Sequence, residues 1–236
     1  MKLLAKAVAA ALTAWACSAA FAVADPARQG SDASTLAVQA SADARYAERW
    51  IRNERDNGGQ PFAIVDKKAA HIYVFDAGGT LVGESATLLG TARGDVPVPG
   101  SASKQPSQLL PNERRTPAGR FTSEPGRNIH GESVVWVDYE SGIAIHRVRP
   151  GVAQAQRLAS LSDALPDDKR LSLGCVVVPE AFFTDVVLPT LGHSAGKVYV
   201  LPEEAPVQAL LHPPVDAAPR DPAAPRAVAV SAVARK

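Results

Sequence analysis

Between Phe62 and Leu201 the apolar residues arrive in short runs rich in Val, Ile, Phe and Tyr, each closed by glycine, proline or aspartate. This punctuation constrains the fold more than any other feature. Runs of that kind suit a pleated, half-buried backbone; a helical stripe needs about ten residues to show itself. Phe62–Asp66, His71–Asp76, Leu81–Leu89, Gly119–Ser123, Val134–Asp138, Ile143–Val148, Ser172–Val178 and Lys197–Leu201 are the expected strands. Asp76-Ala77-Gly78-Gly79 carries hairpin-turn chemistry between the second and third. The body is expected over 61–202, mainly β with one or two helices, and large enough to bury a core.

Two segments read as helices. Ala42, Tyr46 and Trp50 fall four apart, Ala47 and Ile51 widen the stripe, and Asn57-Gly58-Gly59 stops it, which predicts a helix over Leu36–Arg55. Pro179–Leu191, with proline at its first turn, is the second. Gly94–Asn112 carries four prolines and little periodicity, so it reads as a long loop, a class of segment that is often functional. Gly151–Arg170 is mixed and polar, with one short helix and a loop. Residues 25–60 form a leader and helix ahead of the body. Beyond Pro202 the chain is Ala, Pro and Val with scattered charges, and 203–236 is expected to be a disordered tail.

The composition excludes several functions. Of 236 residues, 46% are hydrophobic and 21% charged, as in ordinary globular proteins. Lys+Arg 25 against Asp+Glu 24 leaves no basic excess for a phosphate backbone, which argues against a nucleic-acid partner. Residues 1–24 read as a secretory signal peptide. Lys2 and Lys6 give a basic start, Ala7–Ala16 an apolar run, and Ala22-Val23-Ala24 a small-x-small cleavage site. Cys17 after Ala14-Trp15-Ala16 loosely resembles a lipoprotein cleavage site, a minor alternative. No apolar stretch of about 20 residues follows, so the mature chain is expected to have no membrane span.

Export leaves Cys175 as the sole thiol, because Cys17 departs with the signal. Exported proteins generally use cysteines in pairs. A lone one is buried and inert, an intermolecular link, or a working thiol. Gly174 lets the backbone turn sharply or approach a ligand, and N–H groups at such a turn can receive an oxyanion. A small residue filling a Val-rich strand fits the same spacing. His146 lies where alternation puts Ala144 and His146 on one face and Ile143, Ile145 and Arg147 on the other. Beside a thiol it can take the proton and return it to a leaving amine; a structural histidine at a strand end is the alternative. His71, His130, His193 and His212 are scattered, so no metal site is expected. The order His146 then Cys175 is the reverse of that in papain-like and related cell-wall peptidases.

Together these residues resemble the L,D-transpeptidase (YkuD-like) catalytic domain family of bacteria. His146 matches the family's strand-borne histidine, and Ser172-Leu173-Gly174-Cys175 matches its Ser-x-Gly-Cys. Thr116-Pro117-Ala118-Gly119-Arg120-Phe121 resembles its Thr-Pro-x-Gly-x-Phe segment. The opening strands Phe62–Leu89 and the closing Val198-Tyr199-Val200 also fit, so the resemblance covers 61–202. Two positions depart: Leu173 stands where a histidine is common, and Val177 where an Arg or Asn is usual.

The resemblance implies a mixed β-sheet catalytic fold, sandwich- or barrel-like, in the periplasm or cell envelope. It implies acyl transfer through a Cys175 thioester, with peptidoglycan stem peptides as partners and D-alanine released. His146 would accept and then donate the proton, Gly174 would offer backbone N–H to the oxyanion, and Ser172 would orient His146 or the substrate. Arg147 and Arg170, with Arg114 and Arg115, are candidates for substrate carboxylates. No cofactor or metal is implied. A non-catalytic cell-wall-binding module, an L,D-carboxypeptidase and another cysteine hydrolase stand as alternatives. The acyl acceptor and the oligomeric state have no signature in the sequence.

Overall fold

A computed structural model describes residues 34–36 and 40–212. The expected signal 1–24, Cys17 and residues 213–236 lie outside the described residues. Strands β1 (Phe62–Asp66), β2 (His71–Phe75) and β3 (Leu81–Ala86) form the opening meander, and β4 (Leu89–Gly90) is a short continuation. After the long loop come β5 (Gly119–Arg127), β6 (Ser133–Asp138) and β7 (Ile143–Arg147). β8 (Arg170–Ser172), β9 (Val176–Val178) and β10 (Gly196–Val200) complete the set. Helix α1 (Ala42–Glu54) precedes the sheet, α2 (Gln154–Ser162) lies between β7 and β8, and a helix α3 spans 180–191 with a π turn at Phe183–Val187. A last helix, α4, is Val207–Leu211.

Eight strands form one mixed sheet in the order β3-β2-β1-β10-β5-β6-β7-β9, with β4 and β8 as a separate parallel pair. Within the large sheet, β1–β10 and β7–β9 are parallel and the other neighbours antiparallel. The two edges then meet. Leu88, just after β3, exchanges backbone hydrogen bonds of 2.7 and 2.9 Å with Val177 of β9. That bridge nearly closes the sheet into a barrel, which is how an all-β body hides its edges.

The apolar runs are continuous in β1 and β2 because both faces of the sheet are covered there. One face, with Ala63, Val65, Ile72, Val74, Ile145, Val176 and Val198, packs against Phe183, Val187 and Leu191 of α3. The opposite face, with Phe62, Ile64, Tyr73, Phe75 and Tyr199, packs against Ala44, Ala47 and Ile51 of α1. A smaller cluster of Leu88, Val148, Leu161 and Val177 sits where the barrel closes, with Cys175 packed at its rim.

Three expectations change. The first helix starts at Ala42 rather than Leu36 because Ser41 is its N-cap, its hydroxyl accepting the Ala44 N–H at 3.0 Å. The expected strand Ser172–Val178 is two strands broken at 173–175, for reasons set by Gly174 below. The ordered fold also continues past 202. Glu203 is buried among cations, and Val207 and Leu211 are each 1% exposed in the α1-side core. Composition hid this, because two buried positions on a five-residue helix give no periodic signal.

Candidate functional site

β7 and β9 run parallel in the register Ile145↔Val176, His146↔Val177, Arg147↔Val178. Cys175, one residue before β9, therefore lies across from Ala144, and His146 stands diagonally from it. Paired residues of neighbouring strands share a face. Ile145 and Val176 both point into the α3-side core, which leaves His146, Cys175 and Val177 on the other side. The β7–β9 register thus sets His146 and Cys175 on one face of the sheet.

The sequence breaks the strand at Gly174 for a steric reason. Its φ is +132°, and a Cβ there would lie 2.7 Å from the Arg115 carbonyl oxygen and 2.9 Å from Ile143 Cδ1. Only glycine fits. Ser172 then ties the turn: its Oγ donates to the Cys175 carbonyl at 2.6 Å and accepts the Gly174 N–H at 3.0 Å. This replaces the expected role of Ser172, which shapes the cysteine loop and makes no hydrogen bond to His146. It also removes Gly174 as an oxyanion donor, because its N–H is committed to Ser172 and its carbonyl accepts the Thr116 hydroxyl at 2.8 Å.

The Cys175 Sγ donates to the Gly142 carbonyl at 3.6 Å. Burial pushes the thiol above its ordinary value, while the Ala144 N–H and the charge of Arg149 pull the other way. Burial pushes His146 down to about 4, against the Arg147 carbonyl that bonds it and with help from the Arg149 charge. At neutral pH the resting pair is thiol and neutral imidazole. His146 Nδ1 lies 2.8 Å from the Arg147 carbonyl oxygen, which can only accept, so Nδ1 carries the hydrogen and Nε2 keeps its lone pair. That tautomer can act as a base.

The arginine candidates are spoken for. Arg147 pairs with Glu180 at 2.9 Å and Glu132 at 3.1 Å. Arg170 is buried, pairs with Glu203 and donates to the Lys67 carbonyl at 3.0 Å. Arg114 donates to the Leu109 carbonyl, and Arg115 to the Asn112 and Val96 carbonyls, which staples the long loop. Neither Arg147 nor Arg170 is left free for a substrate carboxylate, because each neutralises an internal one. The cation that both Cys175 and His146 feel is instead Arg149, which sequence reading passed over. Its place three residues after His146, past the strand end, was the available signal.

The two departures have structural settings. Leu173 is 42% exposed beside the nucleophile loop. Val177 is buried in the small cluster with Leu88, Val148 and Leu161, so that position packs rather than lines the site. Among the described residues no group of three or more His, Cys, Asp or Glu side chains is placed to hold a metal ion. No helix among them is long and apolar enough to cross a membrane.

A strand-borne histidine thus stands diagonal to Cys175, the one cysteine among the described residues, on a nearly closed mixed sheet. No protein-family model matches the sequence, and no curated protein matches it. Solved structures do. The catalytic domain of an E. faecium L,D-transpeptidase is 17% identical at a TM-score of 0.36, covering 61% of this chain and 98% of that one. An L,D-transpeptidase from Mycobacterium smegmatis is 17% identical at 0.35, covering 60% and 58%. The helical cell shape determining protein Pgp2 from Campylobacter jejuni is 16% identical at 0.40, covering 64% and 52%. The chain thus spans about half the length of several proteins it matches. Similarity at that level carries nothing over to individual residues, and the chemistry rests on this chain's own side chains.

Proposed function

We propose that the protein is an exported cysteine acyltransferase that acts on peptidoglycan stem peptides by L,D-transpeptidation. The observation that carries this reading is the His146–Cys175 arrangement: one face, adjacent parallel strands, an imidazole anchored through Nδ1 with Nε2 open, and a thiol beside it. The motifs around Thr116, His146 and Cys175 supply the substrate class by resemblance.

In the first half-reaction His146 Nε2 takes the Cys175 proton as sulfur attacks the carbonyl of the third stem residue. The resulting oxyanion falls to the Cys175 N–H, since the Gly174 N–H is held by Ser172. Collapse breaks the C–N bond, the imidazolium gives its proton to the departing D-alanine amine, and a thioester remains. In the second half an amine attacks the thioester, His146 takes its proton, and the thiol is restored. With water as acceptor the same steps give a carboxypeptidase. Because the resting thiol is raised and the imidazole neutral, proton transfer accompanies attack instead of preceding it.

Incubation of the protein with a stem tetrapeptide and a free D-amino acid tests this. D-alanine release with formation of the exchanged tetrapeptide, abolished in Cys175→Ala, is the expected result. Binding of the peptide without turnover would favour the second reading, a non-catalytic wall-binding module. The apolar Val177 and the raised thiol are the observations on its side.

A further inference from the structure

The Thr116 hydroxyl sits between two backbone groups of the site. It accepts the Gly90 N–H at 2.9 Å and donates to the Gly174 carbonyl at 2.8 Å. Its own carbonyl accepts from Lys67 Nζ at 3.0 Å. Lys67 is fully buried, with Nζ also 2.8 Å from both the Gly94 carbonyl and Asp95 Oδ1. The threonine is therefore held from behind and has both of its hydroxyl bonds spent in front.

The ladder between β7 and β9 explains what those bonds accomplish. Val148 N–H donates to the Val178 carbonyl at 2.9 Å. Stepping back four residues on each strand, two rungs, makes Ala144 N–H the donor and Gly174 C=O the acceptor of the rung that would extend the ladder. At that rung the Gly174 carbonyl meets Thr116, and the Ala144 N–H is directed at the Cys175 sulfur. Gly174 adopts a φ of +132° with no room for a side chain, and in that conformation its carbonyl is held by the Thr116 hydroxyl.

We infer that Thr116 is a positioning residue for the nucleophile, holding the Gly174 carbonyl off the ladder so that the Ala144 N–H is kept for Cys175, with Lys67 fixing Thr116 in turn. This rests on the reading of Cys175 as a working thiol. A hydrogen bond to the sulfur favours the thiolate over the thiol. Without the Thr116 hydroxyl, the Gly174 carbonyl can accept Ala144 N–H and complete the rung, and the thiolate loses its donor.

The test is the pH dependence of Cys175 alkylation by iodoacetamide in the full chain, for wild type, Thr116→Val and Thr116→Ser, with Cys175→Ala as blank. Thr116→Val should raise the midpoint by about one pH unit and slow alkylation at pH 7 about tenfold; Thr116→Ser should keep the wild-type midpoint. A Thr116→Val protein of native circular dichroism with an unmoved midpoint overturns the inference. A second measurement needs no Thr116 variant. The Ala144 amide resonance of the wild type should shift with the thiol midpoint, and this titration should vanish in Cys175→Ala. An Ala144 amide indifferent to thiol ionisation also overturns it. Alkylation requires no stem peptide, so an intact clamp in a protein that never takes an acyl group separates the failure of the proposed function from the failure of this inference.

Discussion

At residue scale, the site depends on a few backbone groups, chief among them those of Gly174. Gly174 is the least replaceable. In Gly174→Ala the new methyl would meet the Arg115 carbonyl at 2.7 Å in a backbone region that L side chains avoid. Urea denaturation should show a loss of about 1–3 kcal/mol, and acylation of Cys175 should disappear with it. The pH profile carries a second prediction. His146 is a base only while neutral, and its depressed value of about 4 keeps it neutral through the mildly acid range. The acid limb of kcat/KM should lie near pH 4, well below that of an ordinary histidine, with a plateau above it while the thiol stays protonated and the imidazole neutral. A limb near 6.5 would mean that His146 is not the proton acceptor. His146 and Cys175 were legible in the sequence as residue types within motifs; the parallel β7–β9 register that sets them on one face was not, because it pairs distant segments. The commitments of Arg147 and Arg170 were not legible either, because each depends on a partner that only folding brings close.

At the scale of elements, the barrel closure and the two helical covers do different work. Val177 bonds Leu88 through both backbone groups and packs against Leu161 of α2, so it seals the sheet next to the nucleophile. α4 closes the opposite side. Leu211 and Val207 are buried against Ala44 and Ile51 of α1, and His212 Nε2 meets Tyr46 Oη at 3.0 Å. Leu211→Ala should cost about 2–4 kcal/mol in chemical denaturation while leaving the rate of Cys175 acylation within a factor of two at temperatures where the protein is folded. Strand positions were readable from β-branched runs, and β1, β2, β7 and β10 lie within a residue of where the sequence put them. The split of Ser172–Val178 was hidden, because the groups that crowd Gly174, the Arg115 carbonyl and Ile143, and the Thr116 hydroxyl that takes its carbonyl all come from distant segments.

Across the whole molecule, one buried ionic network ties the segments that follow β1 and β10 to the long loop and β8. Lys67 after β1 is held by Asp95 of the long loop and lies 3.5 Å from Glu203 after β10, while Glu203 pairs with Arg170 of β8. Asp95 in turn accepts the N–H groups of Glu203, Glu204 and Ala205. Burial alone would raise the Asp95 carboxyl, but the Lys67 hydrogen bond and these amides outweigh it and hold it at about 2. The folded value lies below the unfolded one, so Asp95 contributes stability above about pH 4 that is lost as pH falls toward 2. Thermal unfolding followed from pH 5 to pH 2 should show that loss, and Asp95→Asn should flatten it. At neutral pH Asp95→Asn should destabilise by about 3–5 kcal/mol, because it leaves Lys67 buried with a weaker partner. No sequence signal marked Lys67 as buried, since the carboxylates that permit it lie in distant segments.

The central claim is that Cys175 is an acylable nucleophile in this fold. Intact mass of the purified protein after exposure to a carbapenem, with Cys175→Ala and His146→Gln alongside, tests it most directly. The account predicts a single stable adduct on the wild type, none on Cys175→Ala, and a greatly slowed adduct on His146→Gln. A wild-type protein that stays folded, keeps its thiol free and takes up no carbapenem or tetrapeptide acyl group would contradict it.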